Sequence, residues 1–365
     1  MSRQRTATPA LPSCVSDTES DMMAPLRLGV IGLGTGRRYL AAIRQMRDAR
    51  LVSICDVDAE RLAKYAAEYG PVQTLTDYRE MLQNPEVDAV CVCSPDHFHL
   101  EMVLAAFAAG KDVLCEKPLA LHSEECRIMI DAARAAGRQL MVGQVCRLTP
   151  AFVKAKEIVE SGMIGELTFV ESEYAHDYSH MGKCWRSDPA VMRHGVTGGG
   201  CHAVDLLRWI AGDPTEVFAY SNKKTLVDWP CDDTAIGVLK FPNNVMGKVF
   251  VSTGCKRNYT MRTVLYGTKG TVIVDNKSNT MSLFLEKLGD TETLLGTKMK
   301  DVELKLPVTI ADHNVEAELQ IFCDVLLRGA ENTIPAREGA ATVAVCEALI
   351  RSAETGNPEP VQYLN

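Results

Sequence analysis

From Leu26 to Val142 the chain alternates short apolar runs with longer helical patterns, and that rhythm restricts the fold more than any other feature. The runs are Leu26–Ile31, Leu51–Cys55, Ala89–Cys93, Asp112–Cys115 and Gln139–Val142. Each is apolar at successive positions, so both faces of the strand must be covered, as in a parallel sheet sandwiched by helices. Between them lie the Ala- and Leu-rich segments Glu60–Tyr69, Leu100–Ala109 and Glu124–Ala136, which supply the crossovers of βαβ units. The pattern predicts one α/β, doubly wound domain over residues 26–147.

A glycine turn sits where such a sheet binds nucleotides. Strand Leu28–Ile31 runs into Gly32-Leu33-Gly34-Thr35-Gly36-Arg37, and a helical pattern follows over Tyr39–Arg47. Glycines there let the backbone turn sharply and approach a pyrophosphate, which the helix N-terminus attracts with free N–H groups. The third glycine falls one position early, at Gly36 instead of Arg37, and Arg37 is placed to supply charge to phosphates. The second strand ends at Cys55-Asp56, near the offset at which a carboxylate meets the adenosine ribose and repels a 2′-phosphate. The expectation is a Rossmann-type domain that holds NAD in preference to NADP. Ser94-Pro95-Asp96-His97-Phe98-His99 follows the fourth strand at the ligand edge; Ser94, Pro95, His97 and His99 are candidates to line the cofactor pocket, and Asp96 to cap the next helix.

Beyond Thr149-Pro150 a helical pattern, Ala151–Ser161, gives way to strand-length runs: Leu167–Tyr174, Val217–Tyr220, Ala235–Phe241, Met246–Ser252, Arg262–Tyr266, Thr271–Val274 and Met281–Leu285. Consecutive strands pair mainly antiparallel, so residues 148–365 read as an α+β domain with a large open sheet. Helical patterns return at Asn314–Arg328 and Glu338–Glu354, with room to pack back on the first domain. An open sheet of this size favours burial of one face against a second subunit, as a homodimer or homotetramer.

With 365 residues, 46% hydrophobic and 24% charged, the composition is globular and fits two domains. No apolar run reaches the roughly 18 residues of a membrane span. A net charge of −8, from 39 basic and 47 acidic residues with no basic cluster, argues against a nucleic-acid partner. The 13 cysteines lie scattered in apolar stretches without zinc-like spacing, so the expectation is no metal, reduced thiols and a cytoplasmic setting. Residues 1–25, rich in Ser, Thr, Pro and charge, read as a disordered leader.

Cys115-Glu116-Lys117-Pro118 stands just past the fifth strand, again at the ligand edge. At this point the chain resembles the glucose–fructose oxidoreductase / inositol dehydrogenase / rhizopine catabolism (Gfo/Idh/MocA) family. The resemblance is carried by Glu116-Lys117-Pro118, by Gly143-Gln144-Val145-Cys146-Arg147-Leu148-Thr149-Pro150, by Ser161-Gly162-Met163-Ile164-Gly165-Glu166 and by Gly200-Cys201-His202-Ala203-Val204-Asp205-Leu206-Leu207. It implies that Lys117 touches both nicotinamide and substrate, that Glu116, Gln144 and Arg147 lie near the cofactor, and that His202 is the general acid/base. An imidazole titrates near working pH and suits removal of a hydroxyl proton, while an ammonium stabilises the developing alkoxide. Asp205, one helical turn beyond His202, either orients the ring or binds a substrate hydroxyl.

Within Tyr174–Arg193, the residues His176, Tyr178, Trp185 and Arg186 are candidates to recognise a polyol. One departure stands out: where many sugar and inositol dehydrogenases of the family carry an Asp four residues before the histidine, this chain has Gly198. The function expected is reversible oxidation of a secondary hydroxyl on a sugar, glycoside or inositol with NAD. The alternatives are a redox-neutral enzyme that retains NAD through elimination, epimerisation or glycoside cleavage, and a non-catalytic NAD-binding regulator.

Overall fold

The computed structural model describes residues 23–286, 301–310 and 313–364; most of the expected leader lies outside them. The first half runs β1 (Leu26–Ile31), α1 (Leu33–Gln45), β2 (Ala49–Cys55), α2 (Ala59–Tyr69), β3 (Gln73–Leu75), α3 (Tyr78–Leu82), β4 (Ala89–Val92), α4 (His99–Ala108), β5 (Asp112–Glu116), α5 (Ser123–Ala136) and β6 (Leu140–Gly143). All six strands are parallel, in the order β3-β2-β1-β4-β5-β6. The order reverses between β1 and β4, and ligands bind outside the carboxyl ends of strands at such a switch point. Strand β3 escaped the apolar-run reading because it is a three-residue edge strand with Gln73 and Thr74 exposed.

The second half runs α6 (Pro150–Glu160), β7 (Leu167–Ala175), α7 (Gly195–Gly198), α8 (Cys201–Ala211), β8 (Glu216–Asn222), β9 (Thr234–Lys240), β10 (Met246–Ser252), β11 (Thr260–Gly267), β12 (Gly270–Asp275), β13 (Thr280–Glu286), β14 (Asp301–Pro307), α9 (Val315–Arg328), α10 (Ala336–Thr355) and β15 (Glu359–Pro360). Nine strands form one open sheet, β14-β13-β12-β11-β7-β10-β9-β8-β15, antiparallel except between β7 and β10. Pro150 begins α6 at a position where a missing N–H costs no helical bond.

One sheet face is covered and the other is open. On the covered side α8 is apolar nearly all round and buries its whole first half, so it lies inside the second core with Phe152, Leu207 and Val249. On the open side Tyr220, Ile236, Val238, Met246 and Tyr266 are exposed. The two cores share the C-terminal helices. Leu319 and Phe322 of α9 and Ala340 and Val343 of α10 pack into the first core, whereas Val345, Cys346 and Leu349 of α10 pack into the second. Among the described residues no helix is long and apolar enough to cross a membrane.

Candidate active site

The glycine turn between β1 and α1 is built as nucleotide binding requires. Gly32 has φ 86°, and a β-carbon there would come within 2.7 Å of the Ser94 backbone nitrogen, so only glycine lets this turn lie on the end of β4. A β-carbon on Gly34 would meet nothing within 4 Å, leaving the open space a phosphate group would enter. A β-carbon on Gly36 would stand 2.8 Å from Val30 Cγ1, so Gly36 gives α1 its close approach to the sheet. The shifted third glycine therefore serves the packing purpose of the usual motif.

Gly34, Thr35, Arg37, Asp56, Ser94 and Pro95 line a cleft of about 1110 Å³ with Trp185 and Arg186. Asp56 is buried. Its Oδ2 accepts from the Leu33 N–H at 2.7 Å, its Oδ1 accepts from the Asp58 N–H at 2.9 Å, and Arg61 Nη1 reaches both oxygens at 3.1 and 3.2 Å. A carboxylate at the tip of β2, beside a glycine turn and an open cleft, fits a dinucleotide with free ribose hydroxyls.

In the segment after β4, Ser94 and Pro95 line the cleft, whereas His97 and His99 do not. His99 is fully buried, with Nδ1 at 3.0 and 3.2 Å from the Pro118 and Leu119 carbonyls and Nε2 at 3.1 Å from the Ser94 carbonyl. It ties the β4 loop to the β5 loop instead of facing the cofactor. His97 packs on Phe98, with ring centroids 4.0 Å apart, and lines neither the cleft nor the adjoining cavity. Asp96 does not cap α4, since its Oδ2 accepts from Arg193 Nε at 2.5 Å.

At the end of β5, Glu116 Oε2 accepts from the Lys117 N–H at 3.1 Å, and its Oε1 lies 3.2 Å from Tyr39 Oη. The Lys117–Pro118 peptide is cis. Tyr39 donates to Glu318 Oε2 at 2.7 Å, and burial together with the Glu116 charge pushes the Glu318 carboxyl up to about 8. Among the described residues Lys117 Nζ has one hydrogen-bond acceptor, the Gly198 carbonyl at 3.5 Å, and it lines a cavity of about 210 Å³ that adjoins the glycine turn.

His202 of α8 lines the same cavity. It is 1% exposed, and neither ring nitrogen has a hydrogen-bond partner among the described residues. Burial, the Lys117 charge and His313 hold its pKa well below 6.5, so the imidazole is neutral at physiological pH. His176 lines the cavity too, with Nδ1 3.2 Å from Tyr174 Oη, which in turn lies 2.8 Å from Tyr178 Oη. Burial lowers the His176 pKa as well. Two guanidinium groups pack over the Trp185 ring, Arg186 at 4.2 Å and Arg193 at 4.9 Å from its centroid.

Asp205 is elsewhere. Its two oxygens accept from Arg147 Nε and Nη2, both at 2.7 Å, and Oδ1 also accepts from Thr342 Oγ1–H at 2.8 Å. Arg147 further reaches Glu338 Oε2 at 3.1 Å. The expected pairing of Asp205 with His202 or substrate is thus replaced by a buried clamp that joins the segment after β6, α8 and α10, and Arg147 belongs to that clamp instead of the cofactor cleft. Helical spacing places Asp205 one turn from His202 but cannot show what stands opposite. Gln144 is likewise buried, with Oε1 unpartnered among the described residues, and lines neither cavity.

The cavity holds residues that sequence reasoning missed: Arg38, Tyr174, Arg193, Tyr259 and His313. A β-carbon on Gly198 would overlap the Arg193 guanidinium, so the room left by that glycine is filled by a cation. Cys146, His202 and His313 also bring ligand-type atoms within 4.8 Å of one another, a grouping from three distant segments that no local spacing could show.

Two family descriptions match this chain: "Oxidoreductase family, NAD-binding Rossmann fold" over residues 26–144, and "GFO/IDH/MocA C-terminal domain" over residues 152–273. The chain belongs to the Gfo/Idh/MocA family. Among relatives of this Gfo/Idh/MocA member, myo-inositol 2-dehydrogenase of Thermotoga maritima is 32% identical over 73% of the chain and 80% of its own length. Inositol 2-dehydrogenase 2 of Saccharopolyspora erythraea is 29% identical over 92% of the chain and 96% of its own length. A levoglucosan dehydrogenase solved with NADH superimposes with a TM-score of 0.82 at 22% identity, over 93% of this chain and 100% of that one. As a Gfo/Idh/MocA oxidoreductase, the protein uses NAD in the Rossmann domain whose glycine turn is described above.

Proposed function

We propose that this oxidoreductase transfers a hydride between a secondary hydroxyl of a sugar, glycoside or inositol and NAD, with Lys117 and His202 as the catalytic pair. The observation that carries this reading is the convergence of the Lys117 ammonium and the neutral, unpartnered His202 imidazole on one cavity beside the glycine turn. The inositol dehydrogenases among its relatives support the substrate class.

Bound NAD⁺ supplies the hydride acceptor. His202 takes the hydroxyl proton: its ring is neutral, and among the described residues neither nitrogen has a partner to displace. Lys117 donates to the same oxygen as negative charge develops on it, in a setting screened little by water. Glu116 and Tyr39 fix the lysine backbone from behind. His176 and Tyr178 act with Trp185 and Arg186 as substrate-contacting groups at the cavity wall.

The test is Lys117→Ala assayed against a panel of sugars, glycosides and inositols with NAD⁺. Turnover should fall by about two to three orders of magnitude, as for loss of a single charge-stabilising donor, while NADH still binds. Unchanged turnover would remove the assignment. The open face of the large sheet supports assembly as a homodimer or homotetramer, and the burial of most described cysteines in apolar surroundings supports a reducing, cytoplasmic setting.

A further inference from the structure

Arg193 is an unusual residue to find at the wall of a polyol site. It is buried, with 7% of its surface exposed, yet only one edge of its guanidinium is used: Nε donates to Asp96 at 2.5 Å. Nη1 and Nη2 have no hydrogen-bond acceptor among the described residues, and the side chain lines the cavity that holds Lys117 and His202. The planar group is held from three sides. Trp185 packs against it at 4.9 Å, Asp96 fixes Nε, and the bare α-carbon of Gly198 gives it the space a side chain would otherwise fill. Lys117 and Arg193 therefore close on the same residue, Gly198, one at its carbonyl and the other at its missing β-carbon.

The donor inventory decides what such a fork accepts. A guanidinium donates and cannot accept, so it cannot take the proton of a sugar hydroxyl as a carboxylate on residue 198 would. Two parallel N–H donors match the two oxygens of a carboxylate, and the match is both geometric and charge-assisted. A preorganised fork loses little side-chain freedom on binding, because Trp185 and Asp96 already fix its plane.

We propose that Arg193 is the specificity-determining residue of the site and that the preferred substrate is a polyhydroxy carboxylate, such as a hexuronic or aldonic acid, seated with its carboxylate on Nη1 and Nη2. The inference rests on the assignment of Lys117 and His202 as the catalytic pair and narrows the substrate class that pair acts on. The acid group is bound by Arg193 while a neighbouring hydroxyl is presented to Lys117 and His202.

The experiment measures binding to the NADH-loaded full chain by nicotinamide fluorescence, and NAD⁺ reduction in parallel. The probes are D-glucuronate, D-galacturonate and D-gluconate against D-glucose, D-galactose and D-glucitol. Acids should bind about tenfold or more tightly than their neutral counterparts, the range of a charge-assisted hydrogen bond. Arg193→Lys, which keeps the charge but loses the fork, should bring that ratio near one. Gly198→Ala provides a second route, because its new methyl group displaces the guanidinium without removing it from the chain. Equal or tighter binding of the neutral compounds to the wild type overturns the proposal, as does a ratio that survives in both variants. A loss confined to NADH affinity would assign the fork to the cofactor and overturn it too. Oxidation of neutral polyols with no advantage for acids would refute the carboxylate subsite alone, whereas NADH binding with no response to either set would remove the catalytic assignment as well.

Discussion

Replacing Glu318 by Gln should stabilise the protein, and increasingly so as the pH rises. Glu318 is fully buried on α9, accepts one hydrogen bond from Tyr39, and has its carboxyl raised from 4.5 to about 8 by burial and the nearby Glu116. In the unfolded chain the same carboxyl ionises freely near its ordinary value. A group whose folded pKa is raised contributes its full stability below the unfolded value and loses it as pH climbs to the folded one. Each pH unit in that window withdraws about 1.4 kcal/mol, which sums to an upper bound of about 5 kcal/mol between pH 4.5 and 8. Relaxation and water entry around a buried acid reduce this, and a difference of about 2–4 kcal/mol at pH 8 is expected. Glutamine preserves the shape and the acceptor for Tyr39 without the ionisation. The assay is urea unfolding of Glu318→Gln and wild type at several pH values from 5 to 8 without cofactor, so that subtraction cancels all other titrations. A difference that stays flat across this window would refute the reasoning.

Three further outcomes follow from the site and the sheet. Since His202 is held neutral well below pH 6.5, the acidic limb of kcat/KM for alcohol oxidation should fall below pH 6.5, and a half-activity point at or above it would contradict His202 as the base. Asp56→Ser should free Arg61, which pairs with it at 3.1 Å, to meet a 2′-phosphate; the NAD-to-NADP preference in kcat/KM should drop at least about tenfold, and an unchanged ratio would separate Asp56 from cofactor choice. Ile236→Lys combined with Val238→Lys places two charges on the open sheet face, and light scattering should show the assembly dissociating with its circular dichroism intact; a wild type that is already monomeric would refute the interface.

The parallel half of the fold was legible because each buried strand is a compact apolar run, and the glycine turn carried its purpose in three residues. Gly36 shows how that legibility operates: it falls one position early, yet the requirement is only that some glycine face Val30. Edge strands such as β3 leave a weaker trace, since exposure removes the apolar signal. Polar side chains were harder still. Asp205 and Arg147 carry the residue types of an active site but neutralise one another between α8 and the segment after β6, a pairing across 58 positions that no local pattern encodes. His99 resembles a pocket residue by position and is instead a strut between two loops. Arg193 was overlooked for the converse reason: its importance comes from Gly198, which has no side chain to advertise it.

Helix α10 has a consequence for how the protein meets its substrate. Its early residues Ala340 and Val343 are embedded in one core and Leu349 in the other, so a single unbroken rod is cemented into both halves of the molecule. A hinge between the halves would have to bend that rod or pull one end from its bed, at the cost of buried apolar surface on either route. The same rod thereby holds the sheet whose edge carries Lys117 and the core helix that carries His202 to a common support.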